Sequence, residues 1–347
     1  MSFIMNIRSV AKYESKILVR SWFFRIFTLL AVVFLGFFNF AMMLMEDNFG
    51  LWFAKSVSSN IPYLNLLLLN TGQAVVAVFL SSEFLKRDKK LDTSEVFYVR
   101  PLSNAEYVVG KIWGNLRVFL FLNLLVLAIV LAFNFMASGV TVDLPAYLVY
   151  FFLISIPTLI FIIGLSIFLM LLLKNQALTF ILLLGYIGLT LFYIQDKFYY
   201  LFDYMVYNLP LFKSTIVGFS NLELILNHRA IYFFAGLGFI FFTIFLFKRL
   251  PNARRSHYPW LFLSFCMFLL MVTAGFRHVR SILWEGEMRA LYTSINNKYV
   301  YEPKMAIDYY DISVEQKSET IRSVVGMEGT ALAASEVFIF CLNPGLR

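Results

Sequence analysis

Seven long stretches of this chain contain no Asp, Glu, Lys or Arg: Ile26–Leu44, Pro62–Leu80, Val118–Met136, Leu148–Leu173, Ala177–Ile194, Ile231–Phe247 and Trp260–Phe276. A helix crosses a hydrocarbon layer about 30 Å thick with about 20 apolar residues at about 1.5 Å of rise each. Helix is also the one open-ended structure that satisfies its own backbone hydrogen bonds in lipid. The composition agrees, with 60% hydrophobic and 14% charged residues, 40 Phe among the former. Soluble domains run near 45–50% and about 25%. No ordinary core hides that much apolar surface from water. The predicted fold class is therefore an all-α polytopic membrane bundle.

The net charge of +8 would suit nucleic acid only if it formed a patch on a soluble face. The cations instead flank the apolar runs, where they act as topology signals, so no nucleic-acid partner is expected. Arg8, Lys12, Lys16 and Arg20 share one side with Lys86, Arg87, Lys89, Lys90, Arg100, Lys111, Lys174, Lys248, Arg249, Arg254 and Arg255. The other side receives Lys55, then Lys197, Lys213 and Arg229 in its third loop. The positive-inside rule puts the N-terminus in the cytoplasm and everything after the seventh crossing outside. Cys266 and Cys341 frame neither a disulfide set nor a zinc site. About 25 amphipathic residues precede the first apolar run, which is not a cleavable signal pattern.

Residues 1–25 read as an interfacial helix. Ile4, Ile7, Val10, Ala11, Ile17 and Leu18 recur at helical spacing, and the four cations step along another face. Between spans two and three, Glu83–Arg117 is the longest cytoplasmic excursion. Ser103 and Glu106 form an S-x-x-E capping box just after Pro101, which predicts a helix starting near Asn104 and running into span three. The loop after span five stays apolar and is broken at Asn208–Leu209–Pro210 and at Gly218. It predicts a pair of half-inserted helices, with a flat interfacial helix as the rival. After span seven, Tyr310, Ile312 and Val314 alternate with Asp311, Ser313 and Glu315 as in a strand, and Val337–Leu342 reads as a second. Residues 277–347 therefore look like the opening of an extracytoplasmic β domain, too few strands to close a sheet.

Inside the spans lie Asn39, Asn65, Asn70, Gln73, Asn123 and Asn134. Asn70 and Gln73 share a helix face, either as part of a substrate path or dimer seam or as interhelical hydrogen-bonding groups; the second reading is favoured. A phosphate-cradling G-x-x-x-x-G-K-[ST] loop does not occur, and the spans lack carboxylates or histidines.

Together these features resemble the ABC-2 type permease family, the membrane subunits of type V ABC exporters. The resemblance covers roughly residues 1–250: an N-terminal elbow helix, six spans, an apolar hairpin at Phe198–Phe219, and a first cytoplasmic loop with a recurrent pattern. Glu83, Arg87, Thr93, Pro101, Leu102, Ser103, Tyr107, Gly110 and Lys111 fill that pattern. It implies a six-helix exporter-like core at 26–250, a seventh span at 257–276, and a bacterial-type cytoplasmic (inner) membrane. It further implies an ABC ATPase subunit as partner, a second permease copy or homologue, and a surrounding lipid bilayer. ATP and Mg would bind in the partner, with no cofactor, no metal and no catalytic residue in this chain. The coupling helix would fall at Leu91–Arg100, so ATPase-coupling residues are expected at Glu83, Lys86, Arg87, Leu91, Asp92, Thr93, Ser94, Arg100, Pro101, Leu102, Ser103 and Tyr107. The hairpin residues Phe198, Tyr204, Asn208, Pro210 and Gly218 would form a gate. The seventh span and its outward segment look like longer relatives fused to a metallopeptidase-like domain. The H-E-x-x-H motif of such peptidases is absent, and His228, His257 and His278 are scattered. The expected function is the permease subunit of an ATP-driven exporter; the alternative is a membrane anchor for an outer β or peptidase-like domain.

Overall fold

The computed structural model describes residues 3–44, 57–82, 102–136, 142–209, 211, 213, 218–219, 221–247, 258–301, 305–317 and 320–334. Helices dominate: α1 Phe3–Arg20, α2 Trp22–Leu44, α3 Asn60–Ser82, α4 Asn104–Met136, α5 Leu144–Leu173, α6 Gln176–Ile194, α7 Leu222–Leu246 and α8 Tyr258–Lys298. A hairpin of β1 Met305–Lys317 and β2 Thr320–Ala331 follows. Among the described residues, the seven helices from α2 to α8 are long and apolar enough to cross a membrane, which makes this a multi-pass membrane protein. Each contains one of the seven uncharged runs, apart from Phe247, which follows the last residue of α7.

The chain divides into two compact units, Met1–Lys213 with Asn221–Arg277, and Ser214–Ser220 with His278–Arg347. In the first, α3 and α5 are the most enclosed spans, while α2 and α6 are mostly exposed. Trp22, Phe37 and Phe192 stand fully outward on these peripheral helices, as lipid-facing side chains do.

Small residues set the closest helix contacts. A Cβ at Gly164 on α5 would lie 2.6 Å from the carbonyl oxygen of Gly236 on α7, and one at Gly236 would lie 2.6 Å from the carbonyl carbon of Ile160. The α1–α4 contact works the same way. A Cβ at Gly110 would meet Val10 at 2.7 Å, and one at Gly114 would meet Glu14 at 2.7 Å. Helices approach this closely only where at least one side lacks bulk.

The helix ends explain themselves locally. Ser103 and Glu106 exchange the two bonds of a capping box, Glu106 N–H to Ser103 Oγ at 3.1 Å and Ser103 N–H to Glu106 Oε2 at 2.6 Å. Asp143 caps α5 by accepting from Ala146 N–H. A two-residue turn, left-handed Lys174 then Asn175, joins α5 to α6, and the Asn175 side chain accepts from the Ala177 and Leu178 amides. One π turn, Phe151–Ser155, interrupts α5 just before Pro157, and a second, Thr190–Ile194, ends α6.

Helix α4 begins at Asn104, as the capping box predicts, and its first four turns pack on α1. Other boundaries differ from the sequence expectation. Helix α7 begins at Leu222, so Arg229 is a span residue and not a loop cation. Helix α8 itself continues unbroken beyond the uncharged run, from Phe276 to Lys298. In the second unit the partner of β1 is Thr320–Ala331, paired antiparallel with Tyr310 opposite Met327 and Lys317 opposite Thr320. The expected strand at Val337–Leu342 lies outside the described residues. The hairpin is exposed along nearly its whole length.

Gly236→Ala is expected to destabilise the bundle by about 1–3 kcal/mol, the cost of overpacking a closed contact. Gly185, with nothing within 4 Å of its would-be Cβ, serves as control, and Gly185→Ala should be neutral or slightly stabilising. Thermal unfolding of both variants in detergent measures the difference.

Candidate functional site

Three polar constructions stand out in the bundle: a clamp at one end, a ring in the middle and a fastened loop at the other end. The clamp joins α1 to the first four turns of α4. Lys111 and Glu14 form an ion pair at 2.9 Å with side chains only 1% and 3% exposed. Asn6 donates to Glu106 at 2.9 Å, Ser15 donates to the Gly114 carbonyl at 2.7 Å, and Arg117 reaches Ser15 Oγ at 2.5 Å and the Ala11 carbonyl at 2.9 Å. The partners advance together along both helices, so the two run parallel. Arg8, Lys12, Lys16 and Arg20 remain exposed on the far side of α1. The apolar stripe expected to face acyl chains is divided: Ala11 and Leu18 are buried, while Ile4 is exposed.

The same end holds Tyr107, stacked on Phe247 at 5.5 Å between centroids, and Asn104, which donates to the Phe247 carbonyl at 2.5 Å. Leu102 and Ser103 lead into α4 there. Of the other residues expected to couple to an ATPase, Glu83, Lys86, Arg87, Leu91, Asp92, Thr93, Ser94, Arg100 and Pro101 lie outside the described residues. They precede this clamp directly in the chain.

The ring joins α3, α4 and α5. Gln73 donates to Asn70 Oδ1 at 3.2 Å, Asn123 donates to Gln73 Oε1 at 2.8 Å, and Asn70 donates to Asn123 Oδ1 at 3.2 Å. Within the ring each amide gives one bond and takes one, and Ser155 in the π turn adds a donation to Asn123 Oδ1 at 2.8 Å. All four side chains are buried inside one chain, so Asn70 and Gln73 do not sit on an outward face. Interhelical amide bonds of this kind contribute about 0.6–2 kcal/mol each.

The third construction is the 195–213 loop. Its described part is not a pair of half-inserted helices; it holds a single short 3-10 turn at Phe198–Tyr200 followed by bends. The reason lies in its neighbours, because span side chains satisfy its carbonyls one after another. His228 donates to Tyr200 at 3.0 Å and Tyr232 to Leu201. Arg229 and Thr158 donate to Tyr204 at 2.9 and 3.3 Å, and Tyr63 to Val206 at 3.1 Å. Tyr150 donates to Leu211 at 2.7 Å and Ser59 to Lys213 at 3.0 Å. Lys213 in turn pairs with Asp143, the cap of α5, at 2.7 Å.

Asp203 organises the loop from within. Its oxygens accept the Tyr207 and Asn208 amides at 3.0 and 2.8 Å. Burial pushes its carboxyl above the ordinary range, while those amides and the Arg229 charge pull the other way. Phe198, Tyr199, Tyr200 and Val206 all have positive φ, between 52° and 70°. Left-handed backbone in aromatic and β-branched residues persists only where surrounding contacts over-determine it. Of the expected gate residues, Phe198, Tyr204 and Asn208 belong to this loop. Gly218, with φ of 71°, falls in the second compact unit, and Pro210 lies outside the described residues.

Sequence reasoning missed the clamp and the arginine. The clamp had a signal: Gly110 and Gly114 form a small-xxx-small pair. Arg229 had one too, since Glu223 sits in the first turn of α7, where an acidic residue favours a helix start. Among the described residues, no cluster of three or more His, Cys, Asp or Glu is arranged to hold a metal. In comparisons with known proteins, no family model, no curated protein and no solved structure matches the chain.

Two outcomes are expected. Glu14→Gln removes the Glu14 carboxylate from beside the buried Lys111 charge and should cost about 3–5 kcal/mol, whereas Glu14→Met with Lys111→Met should recover most of it; thermal unfolding reads both. For Asp203, a folded-state value raised above 3.8 means the folded protein binds more protons. Its contribution is fully present below pH 3.8 and is lost as pH rises through the raised value. The melting temperature of wild type relative to Asp203→Asn should therefore fall with rising pH across that window.

Proposed function

We propose that the chain is the permease subunit of an ATP-driven exporter of the ABC-2 type, with its ATPase on a separate polypeptide. The observation that supports this reading is the clamp. A helix following directly on the charged 83–101 segment is capped at Ser103 and locked along four turns to a second helix by a buried ion pair. Two helices held this way transmit a push on that segment into α4 with little local bending. Helix α4 then carries the displacement through Asn123 to the amide ring and the π turn of α5, as rigid-body shifts of packed helices require.

In this reading the partner ATPase binds ATP and Mg and engages Leu91–Arg100 with flanking Glu83, Lys86 and Arg87. A second copy or homologue completes the transporter in the cytoplasmic membrane, with the N-terminus inside. The 195–213 loop is the gate at the far side, and Asn70 with Gln73 borders the path. The chain itself performs no chemistry. The second reading, an anchor for an extracytoplasmic domain, draws on the exposed hairpin and the length of α8. A two-stranded hairpin alone is marginal in water, so this one fits a role within a larger β assembly.

Glu substitutions at Lys86, Arg87 and Arg100 together separate the two. The permease reading expects loss of co-purification with an ATPase subunit encoded beside it and loss of ATP-dependent flux in reconstituted vesicles. Full retention of both would overturn it and leave the anchor.

A further inference from the structure

Arg229 is 2% exposed, lies two turns inside a membrane-spanning helix, and feels the charge of Asp203 in the loop. A cation in such a place is costly unless its donors are satisfied. Its acceptors here are three backbone carbonyls and one hydroxyl. Nε donates to the Leu153 carbonyl at 2.6 Å, one terminal nitrogen to the Tyr204 carbonyl at 2.9 Å, and the other to Thr158 Oγ1 at 2.8 Å and the Ile154 carbonyl at 3.4 Å.

The identity of the first acceptor is informative. In an α-helix the Leu153 carbonyl would take the amide hydrogen of residue 157, and residue 157 is proline, which has none. The π turn at Phe151–Ser155 marks the same defect. Thus the α-helical register of α5 shifts just before Pro157, and a guanidinium from α7 donates to the carbonyl that the proline cannot serve in that register. The Tyr204 carbonyl belongs to the 195–213 loop, whose left-handed residues need outside support.

We propose that Arg229 is the donor α5 lacks at Pro157 and, through the same guanidinium, the fastening of the 195–213 loop, so that the break in α5 and the loop release as one event. The fork of an arginine is what makes this workable, because one planar group addresses two backbone segments at fixed angles. A lysine presents a single point charge and reaches one segment at a time. Thr158 strengthens the link: its hydroxyl accepts from Arg229 and donates to Tyr204, so the loop carbonyl is held twice from one site. The device depends on this chain's own residues and stands apart from the transport reading.

The test uses the full chain purified in detergent, with Cys266→Ala and Cys341→Ala as background. The reporter is Met205→Cys, at a loop position only 1% exposed, read by its rate of reaction with a water-soluble maleimide. Arg229→Met should raise that rate about tenfold, the order expected for losing one charge-assisted hydrogen bond, and Arg229→Lys should give most of the same rise if the methionine variant does not fold. Pro157→Ala supplies the missing amide. The drop in melting temperature caused by the Arg229 substitution should therefore be smaller in the Pro157→Ala background than in wild type. An unchanged labelling rate would show that Arg229 does not fasten the loop. Strictly additive melting shifts would show that it does not replace the proline's donor. Either result overturns the proposal.

Discussion

Every peptide group in the lipid-spanning part of this chain must find its hydrogen bond within the chain, because hydrocarbon offers none. That requirement organises the bundle. It makes the seven apolar runs helical, and it also governs the places where helix fails. Where Pro157 removes a donor, Arg229 provides one. Where the chain turns back after α6 without forming a helix, hydroxyls, an imidazole and the same guanidinium occupy its carbonyls in sequence from Tyr200 to Lys213. Irregular backbone beside the spans is tolerated because its carbonyls are covered by protein side chains.

Polar side chains therefore do for this bundle what apolar burial does in water. Lipid tails are as apolar as leucine, so burying one more leucine between helices brings little drive to associate. Specificity comes instead from close backbone contact, as at Gly164 with Gly236 and at Gly110 with Val10, and from groups that have only one acceptable partner. The Asn70–Gln73–Asn123 ring fixes the relative rotation of α3 and α4, since a slip of one residue would leave three amides unpaired in hydrocarbon. The Glu14–Lys111 pair does the same for α1 against α4. These constraints make the packed helices stiff units with few alternative registers, the property a device driven from one end requires.

Much of this was legible in the residues. Run length and absence of charge located all seven spans, and the capping box at Ser103 and Glu106 located the start of α4. What was illegible shares one cause: a residue's partner decided its role, and the partner was distant in the chain. Arg229 reads as a loop cation because charge next to an apolar run normally marks its end. Only the carbonyls of Leu153, Ile154 and Tyr204 allow it to remain inside. The 195–213 loop reads as half-helices because its composition is that of a membrane helix, yet its carbonyls are claimed by other spans. The apolar positions of α1 suggested one face toward lipid, whereas Gly110 and Gly114 draw part of that face onto α4.

The sequence by itself determined that this is a multi-pass helical protein, because hydropathy and helix length are local quantities that no tertiary contact overrides in lipid. Tertiary structure alone decided how the polar residues are spent: which amides close a ring, which charge pairs with which, and that one arginine repairs a proline break while holding a loop. Those outcomes depend on groups 75 residues apart, as the Arg229 guanidinium is from the Ile154 carbonyl, and a pairing at that distance exists only once the helices have packed.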